Sequence, residues 1–82
     1  MYRILTENKN ADAVKGLLGS LGLDYTMYFG DGSWHGQAEN CMLIELGNTS
    51  QDVAEVVATL IKALNLQQAV LLQHIPVTSQ LV

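Results

Sequence analysis

A chain of 82 residues has room for one small domain with a marginal core, since a domain of this size buries only about 60% of the surface its unfolded chain exposes. With 49% apolar and 15% charged residues it is too rich in Val, Leu and Ile for disorder, and rich in apolar residues for a small monomer. The net charge is −4, and the four basic residues, Arg3, Lys9, Lys15 and Lys62, are dispersed, which excludes a nucleic-acid partner held through its phosphates.

An anionic small molecule bound through backbone N–H groups stays open. The single cysteine, Cys41, excludes an internal disulfide and fits a reducing compartment. The start, MYRILTENKN, has no apolar signal-peptide core, and no apolar run approaches the ~20 residues that cross a bilayer. These features read as a cytoplasmic protein with no membrane partner.

Tyr2 to Thr6 is a short β-branched and aromatic run, expected as a first strand. Glu7 to Asn10 is polar, and Asn8 or Asn10 can cap the helix that follows. Ala11 to Leu21 carries Ala11, Val14, Leu17, Leu18 and Leu21 at helical spacing, with Gly16 and Gly19 weakening it and Gly22 placed to terminate it. Asp24 to Phe29 is expected as a second strand, with Tyr25, Met27 and Phe29 on one face and Thr26 and Tyr28 on the other. Gly30 to Gln37 is expected as a glycine-rich loop, longer than a tight turn, leading into a third strand from Ala38 to Leu46.

Gly47 to Ser50 breaks that strand, and Thr49 or Ser50 with Asp52 opens a helix from Gln51 to Leu64. Its stripe of Val53, Val56, Val57, Leu60, Ile61 and Leu64 is expected to face the core. Asn65 ends it, Gln68 to Ile75 makes a fourth strand, and Pro76 stops that strand. The order β-α-β-β-α-β over residues 1–82 is that of a single ferredoxin-like α+β domain, a four-stranded antiparallel sheet with both helices on one face. Cys41 and Leu43 oppose Met42, Ile44 and Leu46 in strand three, and Ala69, Leu71 and Ile75 oppose Val70 and Leu72 in strand four. Apolar residues on both faces imply that the helix-free face is covered, and another copy of the chain is the simplest cover.

The extended segment between strands two and three, with Trp34-His35-Gly36-Gln37-Ala38-Glu39 leading into CMLIEL, resembles the PII and CutA group of proteins. That resemblance implies a homotrimer packed sheet to sheet, with a nucleotide-like ligand in clefts between subunits under the segment after strand two. The basic residues with which PII proteins meet phosphates have no counterpart here. YRILTENKN, Gly32 to Glu39 and the run Leu64-Asn65-Leu66-Gln67-Gln68-Ala69-Val70-Leu71 also resemble small proteins of tailed phages and their hosts, which implies a phage setting and brings no activity with it.

The candidate ligand-binding residues are Gly32, Trp34, His35, Gly36 and Glu39. Trp34, the only tryptophan, is either a stacking platform for a flat ligand or an anchor against a neighbouring subunit. Gly32 and Gly36 either present N–H groups to an anion or serve turn geometry. His35 is a candidate contact to a polar or anionic ligand, and Glu39 is expected to hold the loop in place. Asp31, His35, Glu39 and Cys41 have ligand chemistry, yet their spacing matches no closed zinc pattern, so no metal, cofactor or catalytic residue is assigned. Cys41, between apolar residues, is expected in the core. Gln67 and Gln68 are free to meet a base edge or an interface.

Three functions compete. The first is a non-enzymatic homo-oligomer that binds a small nucleotide-like ligand, in a phage setting a sponge for a host signalling nucleotide and hence an anti-defence factor. The second is a structural or interaction oligomer whose glycine-rich loop contacts a partner protein. An enzyme ranks third, for want of a paired carboxylate, a triad or a metal cluster.

Overall fold

In the computed structural model, which describes all residues from Met1 to Val82, the elements run β1 (Tyr2–Glu7), α1 (Ala11–Ser20), β2 (Tyr25–Trp34), β3 (Gln37–Leu46), α2 (Gln51–Leu64) and β4 (Leu71–His74). The sheet order is β2-β3-β1-β4, and every neighbouring pair is antiparallel. This is a ferredoxin-like α+β fold. No helix is long and apolar enough to cross a membrane.

Strand alternation sorts side chains between two faces. Ile4, Met42, Ile44 and Leu46 point to the helix-covered face and are fully buried with Val14 and Leu18 of α1 and Val57 and Ile61 of α2. At ~25 cal/mol per Å² of apolar surface, these side chains supply most of the folding drive. The α2 stripe does not dock as a unit. Ala54, Val57, Ala58 and Ile61 are buried, whereas Val53, Val56, Leu60 and Leu64 are exposed. A helix packed on a sheet buries a narrow arc, and small alanines at 54 and 58 let the backbone approach closely, turning the larger residues outward.

The ends of the helices are set by local chemistry. Ser50 Oγ accepts the Val53 N–H at 3.3 Å and caps α2. Gly22, at φ 67, closes α1 with Gly22 N–H donating to Gly19 O and Leu23 N–H to Leu18 O, a Schellman pair. Asn10 occupies the N-cap position of α1, and its carbonyl accepts the Val14 N–H, but its side chain makes no capping bond. It sits at φ 54, and its Nδ2 donates to Leu64 O at 3.4 Å and Asn65 Oδ1 at 3.3 Å, tying the start of α1 to the end of α2. There Thr6 and Asn65, 4% and 2% exposed, share Gln67: Thr6 Oγ1 donates to its Oε1, and Asn65 Nδ2 donates to the same oxygen. This polar knot engages Gln67 inside the fold, and the chain enters β4 only at Leu71, later than the expected Gln68.

Leu66 closes α2 at φ 53 and is 90% exposed. A left-handed conformation costs an L-residue about 1–2 kcal/mol, against about 0.5–1 kcal/mol for the extra freedom glycine loses on folding. Leu66→Gly should therefore stabilise the domain by about 0.5 kcal/mol, a rise of roughly 2–4 °C in melting temperature. A thermal melt showing a fall would mean that Leu66 makes an apolar contact in solution.

Candidate functional site

The segment expected as a long loop is mostly strand. β2 continues through Gly30, Asp31, Gly32 and Ser33 to Trp34, and β3 starts at Gln37, so only His35 and Gly36 turn the chain. Both have positive φ, 51 and 78, the requirement of a type I′ turn. Histidine tolerates that region better than most residues, and this makes His35-Gly36 a tight-turn pair. Expectation and structure part here because glycines interrupt the apolar pattern of β2, whereas Gln37 to Asn40 hold them in register from the other strand.

Past Asn40, whose carbonyl accepts the Asn8 N–H at 2.9 Å, the two strands have no third strand beside them. They form an arm about 13 Å long at the usual rise of an antiparallel strand, which gives the molecule its elongated extents of 39 × 24 × 21 Å.

The five residues singled out in the sequence all lie on this arm. Gly32 and Glu39 are direct partners across it, and Trp34 pairs with Gln37 next to the turn. By alternation Gly32, Trp34 and Glu39 share the helix-free face, and His35 and Gly36 form the tip. Trp34 is 58% exposed, and its ring meets His35 edge to face, centroids 4.8 Å apart at 84°. Glu39 takes part in neither of the two salt bridges, Arg3–Glu45 and Lys9–Glu7. Ladder pairing, and not its carboxylate, fixes the arm. The arm holds Asp31 and Glu39 but no Lys or Arg, so an anion there would rely on N–H groups and on His35.

The turn also settles which backbone groups are free. Its closing bond makes Trp34–Gln37 a bonded pair, and strict alternation then makes Gly32–Glu39, Gly30–Cys41, Tyr28–Leu43 and Thr26–Glu45 bonded pairs. Gly47 N–H donating to Asp24 O at 2.9 Å continues the same parity. The Gly32 N–H is therefore engaged in the ladder, whereas no backbone bond outside the ladder involves His35 or Gly36.

Cys41 is on this helix-free face, partly exposed, and not in the core. A Cβ on Gly32 would lie 3.6 Å from its sulfur, an ordinary van der Waals contact, so the thiol packs beside Gly32 without requiring a glycine there. Away from the arm the helix-free face carries one apolar row running straight across the sheet: Tyr28 beside Leu43, Leu43 beside Leu5, and Leu5 beside Leu71. Tyr28, Leu5 and Leu71 are 50%, 37% and 46% exposed. A polar row borders it, with Thr26 beside Glu45, Glu45 beside Arg3 and Arg3 beside Gln73. Arg3 Nη2 meets Glu45 Oε2 at 3.0 Å. Glu45 also raises the Tyr28 pKa above its ordinary value, first by hydrogen bonding to the neutral phenol and second by its negative charge.

His74 lies on the opposite face, stacked on Tyr2 with centroids 4.6 Å apart. No three His, Cys, Asp or Glu side chains gather as a metal-binding set. An open groove of about 410 Å³ runs between α2 and β4, lined by Ala58, Thr59, Lys62, Val70 and Leu72 among others, and it does not reach the arm. The fold and the arm thus define the class, a ferredoxin-like α+β domain with an extended β2–β3 hairpin. No family model matches the chain, and no curated protein or solved structure shows significant similarity to it.

Proposed function

We propose that the protein is a non-enzymatic binding module that works as a homo-oligomer, its helix-free sheet face covered by further copies and its hairpin arm contacting a small, flat, anionic ligand of nucleotide type. One observation carries this reading: Trp34, Gly32 and Glu39 lie on the same face as the row Tyr28–Leu43–Leu5–Leu71. A copy that covers the row comes to lie beside the indole, and a cleft between copies would have an aromatic wall. The ligand's ring would stack on Trp34, and its anionic group would meet the N–H groups of His35 and Gly36 and the His35 imidazole. The resemblance to the PII and CutA group makes a trimer the expected assembly. The phage resemblance makes sequestration of a host signalling nucleotide, an anti-defence role in the cytoplasm, the corresponding task.

The second reading, an interaction protein whose arm contacts a partner protein, is favoured by the arm itself: it projects beyond the sheet, and its exposed tryptophan is the residue type that most often anchors interfaces. Calorimetry against mono-, di- and cyclic nucleotides separates the two. Trp34→Ala should weaken nucleotide binding by about 1–3 kcal/mol, the worth of one stacked base, with fold and assembly unchanged on size exclusion. If the native protein binds no member of the panel, the interaction reading replaces the first.

A further inference from the structure

The sheet has two edges, and they differ. The β4 edge is four residues long, Leu71–His74, and Pro76 follows it. The β2 edge is ten residues long, Tyr25–Trp34. Since the even-numbered residues of β2 bond to β3, the N–H and C=O groups of Tyr25, Met27, Phe29, Asp31 and Ser33 point away from the sheet. None of them takes part in any of the backbone bonds made outside the helices and strands. Exposed edges are normally blunted by proline, lysine, a bulge or a covering segment. β2 contains neither proline nor lysine, and its pairing with β3 runs without a bulge from Tyr25 to Trp34.

We infer that the β2 edge pairs antiparallel with β2 of a second copy about a two-fold axis at Phe29, joining two sheets into one of eight strands. The occupant and its register follow from the strand itself. Centring on Phe29 sets Tyr25 against the partner's Ser33, Met27 against the partner's Asp31, and Phe29 against the partner's Phe29. In this register every outward-facing N–H and C=O from Tyr25 to Ser33 finds a partner on both copies; a shift by two residues leaves the end groups unpaired. The only charge on β2, Asp31, then faces Met27 and never its own copy.

The same register places each Tyr28 against the partner's Gly30, where a Cβ would meet no atom within 4 Å. An aromatic ring over a cross-strand glycine fills the space that the missing side chain leaves. Phe29, 52% exposed, gains the partner's Phe29 as an aromatic neighbour on the helix-covered face. The contact is isologous and closes at two copies. It uses the strand edge and takes only Tyr28 from the row Tyr28–Leu43–Leu5–Leu71, leaving Leu43, Leu5 and Leu71 free, so it holds whether or not the nucleotide reading does.

Residue-resolved amide exchange on the native protein tests it. In the assembled protein the amides of Tyr25, Met27, Phe29, Asp31 and Ser33 should be protected as well as their even-numbered neighbours, and dilution should release the odd set alone. Phe29→Lys sets two ammonium groups across the axis; it should abolish the protection of the odd set, halve the particle mass and leave the even set protected, which shows that the domain remains folded. Leu43→Lys, on the sheet face, should leave the odd set protected. Odd-set amides that exchange freely at every concentration, or a Phe29→Lys variant that keeps the native mass, would overturn the pairing.

Discussion

Ile44→Asp should not yield a folded protein at ambient temperature. Ile44 is fully buried at the centre of the sheet, between Ile4 of β1 and Met27 of β2, with the helices above it. The substitution removes a branched side chain whose truncation alone costs about 2–5 kcal/mol. It also puts a carboxylate where no cation lies, since the four basic residues are Arg3, Lys9, Lys15 and Lys62 and none belongs to the core cluster. The group must stay charged and unpaired or take up a proton, and either adds several kcal/mol. The total is comparable to the whole of what an 82-residue domain holds in reserve, about 4–12 kcal/mol at typical per-residue stability. Circular dichroism should show loss of the cooperative transition. A variant that melts like the native protein would mean that β3 is flipped, with Leu43 and Cys41 inward.

That pairing of Ile44 with the helices marks how far the sequence could be read. Element order was legible because each helix carries an apolar period and a terminator, and α2 occupies the same Gln51–Leu64 span that its cap and stripe announce. Which half of the α2 stripe docks was not, because Val53 and Val57 look alike in a helical pattern; depth of burial depends on how closely Ala54 and Ala58 let the helix approach. The hairpin arm was hidden for a related reason. Gly30 and Gly32 suppress strand propensity locally, and only the cross-strand register with Cys41 and Glu39 restores it. The His35-Gly36 turn offered a signal, a left-handed-tolerant residue before glycine, though a weaker one than asparagine or aspartate gives. Cys41 looked internal from its apolar neighbours, yet alternation alone puts it opposite Met42, and the burial of Met42 decides the face. The candidate ligand residues were adjacent in sequence, so their gathering on one arm owes nothing to tertiary structure. What the sequence could not hold is that three of them share a face with the apolar row.

Leu43→Lys probes that row and should act on assembly while sparing the fold. Leu43 is the residue next to Ile44 and points the opposite way, partly buried between Tyr28 and Leu5 on the helix-free face. In a single copy the lysine stem can lie along the row with its ammonium group in water near Glu7 and Glu45, which flank it on the same face, so the loss of stability should stay near 1 kcal/mol. If another copy covers the row, the same ammonium group loses its water without a matched partner. A penalty of about 3 kcal/mol for an uncompensated interfacial charge corresponds to a more than hundredfold weaker assembly at 1.4 kcal/mol per decade. Analytical ultracentrifugation of native and Leu43→Lys protein at equal concentration, beside thermal melts of both, reads the two effects separately. Unchanged assembly in the variant would show that the helix-free face is open to water, and the aromatic wall at Trp34 would then have no second copy beside it.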